Sequence, residues 1–91
     1  VQKTKAKEHF ETASRLYDVG KYAEAIEEYQ KAYLNVEDPV FLFNIAQCYR
    51  LSDQPAEAVR FYRNYLRRAP NAPNRAAVEG RIAEMEKLIE E

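Results

Sequence analysis

The chain has 91 residues, of which 46 % are hydrophobic and 32 % charged, and its formal net charge at pH 7 is −1. This length leaves room for one domain with a single shared core, and the composition is globular rather than disordered. The balanced charge argues against a dedicated nucleic-acid binder, and no apolar run approaches the roughly 18 residues that a membrane span needs.

Apolar residues recur at spacings of three and four in the first part of the chain, which is the pattern of amphipathic helices. The first helix is predicted over 3–19, where Gly20 supplies the left-handed residue that commonly closes a helix. The second is predicted over 21–36, with glutamates opposite its apolar stripe. That stripe consists of Tyr22, Ala25, Ile26, Tyr29 and Ala32.

Capping residues and prolines mark the later helices. Asp38 is a good N-cap and Pro39 a good first residue, so a third helix is predicted over 39–51. Prolines also open the fourth and fifth helices, predicted over 55–69 and 73–90. The apolar stripe of the fifth helix is Val78, Ile82, Met85 and Ile89. No stretch alternates with period two, and we therefore predict an all-α chain of five helices joined by short turns.

Part of the sequence recurs 33 residues later. The segment AEAIEEYQKAY at 23–33 aligns with AEAVRFYRNYL at 56–66. Ala13 and Ala46, in the helices that precede these segments, lie at the same spacing. A period in this range indicates stacked helical hairpins. The small residues let helix axes approach closely, and Tyr29 and Tyr62 are predicted to fill the space beside them.

The recurring unit resembles the tetratricopeptide repeat over residues 6–70. The matching positions are Ala13, Leu16, Gly20, Tyr22, Ala25, Ile26, Tyr29 and Ala32 in the first copy, and Ile45, Ala46, Tyr49, Ala58, Val59, Tyr62, Leu66 and Pro70 in the second. His9, Asp53 and Tyr65 depart from the motif. The resemblance implies a superhelix of stacked antiparallel hairpins in one domain covering 1–91. Its parts would be repeat one at about 5–38, repeat two at about 39–70 and a capping helix at 71–91.

The resemblance also implies a groove lined by the first helix of each repeat. Carried over position by position, the partner-binding residues are Lys7, Phe10, Ser14, Tyr17, Phe43, Asn44, Gln47 and Arg50, with Val40 beside them. The polar residues at 44, 47 and 50 suit hydrogen bonding to an extended backbone. The alternatives are that the three aromatic residues lie in the core and that the polar residues form a merely solvated face.

Some members of this family hold a C-terminal carboxylate with two asparagines and several basic residues. Only Asn44 matches one of those asparagines. Ser14 takes the place of the other, and Phe10 takes the place of the first basic residue. We therefore expect that clamp to be absent.

Candidate catalytic groups are few. His9 and Cys48 are the only soft ligands, which is too few for a structural zinc site, and a Cys-His nucleophile pair would need a third orienting group. We expect no catalysis, no cofactor and no metal, with Cys48 as a small packing residue. A single cysteine cannot form an internal disulfide, which leaves oxidising and reducing compartments open.

The leading interpretation is a non-catalytic module that binds a protein or peptide segment in its groove, without nucleic acid and without a transmembrane segment. A structural self-association unit stays open, because two repeats fall short of the roughly three usually needed for a stable stack. Binding of an anionic surface through the outward face of Arg60, Arg63 and Arg67 also stays open. The Ala-Pro-Asn-Arg segment that begins at Ala72 is similar to caps in bacterial envelope proteins, which favours that location and leaves the cytoplasm open.

Overall fold

The computed structural model describes residues 1–91 as five α-helices without a strand. They are α1 (Gln2–Asp18), α2 (Tyr22–Asn35), α3 (Pro39–Leu51), α4 (Pro55–Arg68) and α5 (Arg75–Glu90). Each helix packs against the next one in the chain, which confirms the predicted all-α stack of antiparallel hairpins. None of the five is both long and apolar enough to cross a membrane.

Two of the three predicted proline starts are observed, those of α3 at Pro39 and α4 at Pro55. The Asp38 carboxylate accepts a hydrogen bond from the Val40 backbone N–H at 3.0 Å, and α3 begins at the following proline as predicted. The fifth helix begins at Arg75 rather than at Pro73, because Pro73 and Asn74 form a turn. The Asn74 side chain accepts a hydrogen bond from the Tyr65 hydroxyl at 2.8 Å, so it ties this turn to α4.

The turns that end α1 and α3 have the same backbone geometry. Gly20 has a φ of 79°, and Asp53, which lies 33 residues later, has a φ of 61°. The N–H of the next residue donates to a carbonyl five residues back, at 2.9 Å in both turns: Lys21 to Leu16 and Gln54 to Tyr49. A second bond closes each turn, from the Gly20 N–H to the Tyr17 carbonyl at 3.0 Å and from the Asp53 N–H to the Arg50 carbonyl at 3.2 Å. This pair of bonds is the Schellman motif. The sequence period is therefore also a period of local structure, even though aspartate replaces glycine in the second turn.

Small residues lie at the helix crossings as the spacing predicts. Five alanines have no exposed surface: Ala13, Ala25, Ala32, Ala46 and Ala58. Tyr29 and Tyr62 lie beside them and are 4 % and 0 % exposed. The buried residues form two clusters, one of α1, α2 and α3 and the other of α3, α4 and α5. Half-buried Tyr33, Tyr49 and Phe61 pack against both clusters and join them.

The fifth helix covers the open end of the second hairpin. Val78, Ile82 and Met85 are buried in one cluster with the α4 residues Tyr62, Tyr65 and Leu66. Ile89, the last residue of the predicted stripe, is 49 % exposed. The first part of the stripe therefore packs on α4, and its end faces solvent.

Candidate functional site

The predicted site residues lie on neighbouring faces of α1 and α3. This surface, named here the α1–α3 face, consists of Lys7, Phe10, Ser14, Tyr17, Phe43, Asn44, Gln47 and Arg50. The ring centroids of Phe10 and Phe41 lie 5.7 Å apart, so the two helices are side by side. Lys7 is exposed and the other seven residues are half-buried, so no residue of the α1–α3 face belongs to the closed core.

The aromatic residues of the α1–α3 face rest on tyrosines from α2 and α4. The Phe10 ring lies 6.0 Å from that of Tyr29, and the Phe43 ring lies 5.3 Å from that of Tyr65. Each ring contacts two aromatic neighbours, since Phe10 also packs on Phe41 and Phe43 on Tyr62, and both side chains stay half-buried. The outcome lies between the two predicted possibilities, because these rings are anchored in the core and still reach the surface.

An apolar cavity of about 370 Å³ opens at the N-terminal ends of α1 and α3. It is lined by Ala6, Phe10, Val36, Val40 and Phe41, with Lys3, Lys7 and Asp38 at its edge. Ala6, Val36 and Phe41 were not among the predicted site residues, because only selected positions on the first helix of each repeat were carried over from the family. Val40 is 41 % exposed, which leaves apolar surface open to a partner side chain.

Two tyrosine hydroxyls reach the polar part of the α1–α3 face. The Tyr29 hydroxyl lies 3.4 Å from the Ser14 hydroxyl. Burial raises the pKa of the Tyr17 hydroxyl, and the nearby Arg50 guanidinium opposes part of that shift. Ser14 of α1 is therefore in contact with Tyr29 of α2, and the charge of Arg50 of α3 acts on Tyr17 of α1.

The Tyr62 hydroxyl holds Gln47 and Arg50 together. Arg50 Nε donates a hydrogen bond to the Tyr62 oxygen at 3.2 Å, and the Tyr62 hydroxyl donates to the Gln47 side-chain oxygen. Asn44, one turn before Gln47, is half-buried and makes no hydrogen bond through its side chain within the chain. Some polar groups of the α1–α3 face are thus used by the fold, and others are free.

The outward arginines of α4 are largely paired within the chain. Arg60, Arg63 and Arg67 are exposed as predicted. Arg60 lies 3.5 Å from Glu57, and Arg63 forms an ion pair with Glu86 of α5. Two of the three charges are therefore compensated, which weakens the case for this face as an anion-binding surface.

His9 and Cys48 lie in different environments. The His9 Nδ1 atom lies 2.8 Å from the Glu28 carboxylate, whose other oxygen accepts from Lys31 at 3.0 Å. Cys48 is fully buried between the hairpins, and burial raises the pKa of its thiol to about 12. Glu28 was interpreted from the sequence as part of a solvated face, but its side chain is only 19 % exposed. Its contact with His9 is a hydrogen bond between α1 and α2.

Replacing Glu28 with glutamine is expected to destabilise the chain at neutral pH and to have less effect in acid. The hydrogen bonds from His9 and Lys31 hold the pKa of the Glu28 carboxyl below its ordinary value of 4.5. The group therefore stabilises the fold fully above that value, and the contribution is lost as the pH falls through the lower folded-state pKa. Urea midpoints of the parent and Glu28→Gln, measured from neutral to strongly acidic pH, should converge.

Glu27→Gln is the matched control, because Glu27 is exposed on the same helix. It should leave the midpoint unchanged at every pH. A Glu28→Gln difference that stays constant into acid would contradict an ionised carboxylate as the source of the effect.

Neither a protein-family model nor a curated protein sequence matches the chain. The proposed function therefore rests on the side chains of the α1–α3 face and on the repeated hairpin.

Proposed function

We infer that this chain is a non-catalytic interaction module of the tetratricopeptide-repeat type, which holds a protein or peptide segment on its α1–α3 face. The repeat assignment is supported by the turns at Gly20 and Asp53, which share one closure geometry at the spacing of the sequence period. The buried alanines at the same spacing support it as well.

The observation that carries the binding proposal is the unused capacity of the α1–α3 face. Asn44 is half-buried and offers both an amide donor and an acceptor that no other residue of the chain uses. The apolar cavity at Phe10 and Val40 opens on the same side of the molecule. Free polar groups beside open apolar surface are what a bound polypeptide segment needs, since its backbone requires hydrogen bonds and its side chains require cover.

Asn44→Ala is expected to weaken binding of a segment by about 1 kcal/mol or more without changing the thermal melt, because the lost hydrogen bonds belong to the ligand. The probe is a short peptide selected from a random display library on the immobilised full chain, and its affinity is measured by fluorescence anisotropy. Asn71→Ala is the control, because Asn71 is exposed in the turn before α5.

Arg50→Ala is expected to weaken binding of the same peptide and also to lower the melting temperature of the chain. Its guanidinium donates to the Tyr62 hydroxyl, so the substitution removes a hydrogen bond of about 1 kcal/mol from the fold itself. Unchanged affinity in both Asn44→Ala and Arg50→Ala would move the binding site off the α1–α3 face.

Self-association is the second candidate function. Leu88 and Ile89 near the end of α5 are 51 % and 49 % exposed, so the capping helix leaves apolar surface in solvent. A second copy could cover that surface. Size-exclusion chromatography with light scattering separates the candidates, since a monomer at micromolar concentration contradicts self-association and leaves the interaction module in place.

A further inference from the structure

The Tyr62 hydroxyl is surrounded by hydrogen-bond donors that the fold leaves unused. An arginine side chain carries five N–H donors, and Arg50 spends only its Nε–H, on the Tyr62 oxygen. The Gln47 side-chain oxygen accepts from Tyr62, so the Gln47 amide nitrogen stays free to donate. The unused groups at this point are mainly donors, namely the remaining Arg50 N–H groups and the Gln47 amide, and the ligand group that complements them is an acceptor.

Arg81 of α5 brings a second positive charge to the same hydroxyl. It lies on α5 between Val78 and Ile82, both of which share a buried cluster with Tyr62. Burial is the larger influence and raises the pKa of Tyr62, while the charges of Arg50 and Arg81 both lower it. Arg81 is half-buried and makes no hydrogen bond through its side chain within the chain.

Four of the eight arginines of this chain lack a carboxylate partner, and of these Arg50 and Arg81 are half-buried whereas Arg15 and Arg67 are exposed. Four others, Arg60, Arg63, Arg68 and Arg75, each form an ion pair with a glutamate. No carboxylate lies within ion-pair distance of Arg50 or Arg81. The charges of two half-buried guanidinium groups thus act on the Tyr62 hydroxyl with no anion paired to either, and an incoming carboxylate would neutralise this positive potential.

The apolar cavity lies at a defined distance from this charge. Val40 borders the cavity and Arg50 lies ten residues later on the same helix, which corresponds to about 15 Å along the axis of α3. An extended peptide advances about 3.3 Å per residue, so about four or five residues bridge the two points. Lys3 and Lys7 add positive charge at the cavity end of that path, where Asp38 adds one negative charge.

We propose that the segment held on the α1–α3 face is acidic, with one carboxylate bound by Arg50, Gln47 and Arg81 and an apolar side chain in the Val40 cavity about four or five residues away. This rests on the proposed function and adds the chemistry of the ligand to it. It also gives the capping helix a part in recognition, because Arg81 comes from α5.

The test uses short peptides selected from a random display library on the full chain. We expect the selected sequences to be enriched in aspartate or glutamate at the stated distance from an apolar residue. Arg81→Gln should lower the affinity for the selected peptide about tenfold, as loss of a charge-assisted hydrogen bond does, without changing the melting temperature. Replacing the acidic residue of the peptide with its amide should cause at least that loss, because Arg50 loses its anionic partner as well, and adding Arg81→Gln to the amide peptide should cause little more.

Arg15→Gln is the matched control, because Arg15 also lacks a carboxylate partner and lies outside the α1–α3 face. It should leave the affinity unchanged. Neutral selected peptides that respond to Asn44→Ala and not to Arg81→Gln would overturn the acidic ligand and leave the proposed function standing. Selected peptides whose affinity changes with none of Asn44→Ala, Arg50→Ala and Arg81→Gln would overturn both the acidic ligand and the proposed function.

Discussion

Ala25→Arg and Ala58→Arg are each expected to unfold the chain. Both alanines are fully buried where helices cross, one in each core cluster. Arginine in this position would overpack the contact at a cost of about 1–3 kcal/mol and would add a buried, unpaired charge that costs several kcal/mol more. A domain of 91 residues is stable by only about 5–14 kcal/mol, so the sum approaches or exceeds the total.

Circular dichroism melts of the two variants give the result, with Ala23→Arg and Ala56→Arg as controls. Ala23 and Ala56 lie two residues earlier on the same helices and are exposed, so the same substitution there keeps helix propensity and net charge matched. The controls should melt close to the parent. If Ala25→Arg or Ala58→Arg also melted within a few degrees of the parent, those positions would have to reach solvent.

Deletion of residues 72–91 is expected to cause aggregation or a large fall in the melting temperature. The deletion removes Val78, Ile82 and Met85, which cover Tyr62 and Leu66 of α4. Each of these apolar side chains contributes about 1.5–3 kcal/mol when it is buried, so the loss is comparable to the stability of a small domain. The newly exposed surface of α4 would be a contiguous apolar patch, which promotes association.

A shorter truncation is the control for this deletion. Removing residues 87–91 leaves all buried residues of α5 in place, because none of the last five is buried. That chain should stay folded and melt close to the parent. If deletion of 72–91 instead gave a monomer with the parent melting curve, α5 would be an appendage rather than a cap, and Arg81 could not belong to a fixed recognition site.

Local chemistry in the sequence was sufficient to predict the helices and the face that each of them buries. Proline at a helix start, Asp38 as a cap and the left-handed Gly20 act within a few residues of themselves, so their effect does not depend on the rest of the fold. The same holds for the buried face of each helix, because a spacing of three and four defines one side of a helix whatever packs against it. The start of α5 was wrong by two residues because Asn74 is held by Tyr65, which belongs to another helix.

The sequence by itself determined the five helices, the repeated closing turn and the small residues at which helices cross, since each depends on neighbours within about one turn. Only the tertiary structure decided which residues of different helices lie next to each other. Periodicity places Arg50 and Arg81 each on a face of its own helix. The packing of α3 on α4 lets Arg50 donate to the Tyr62 hydroxyl, and the packing of α5 on α4 brings the charge of Arg81 to act on the same group. The link between His9 and Glu28 arose in the same way, because the relative shift of two helices depends on the fit of all their contacting side chains together.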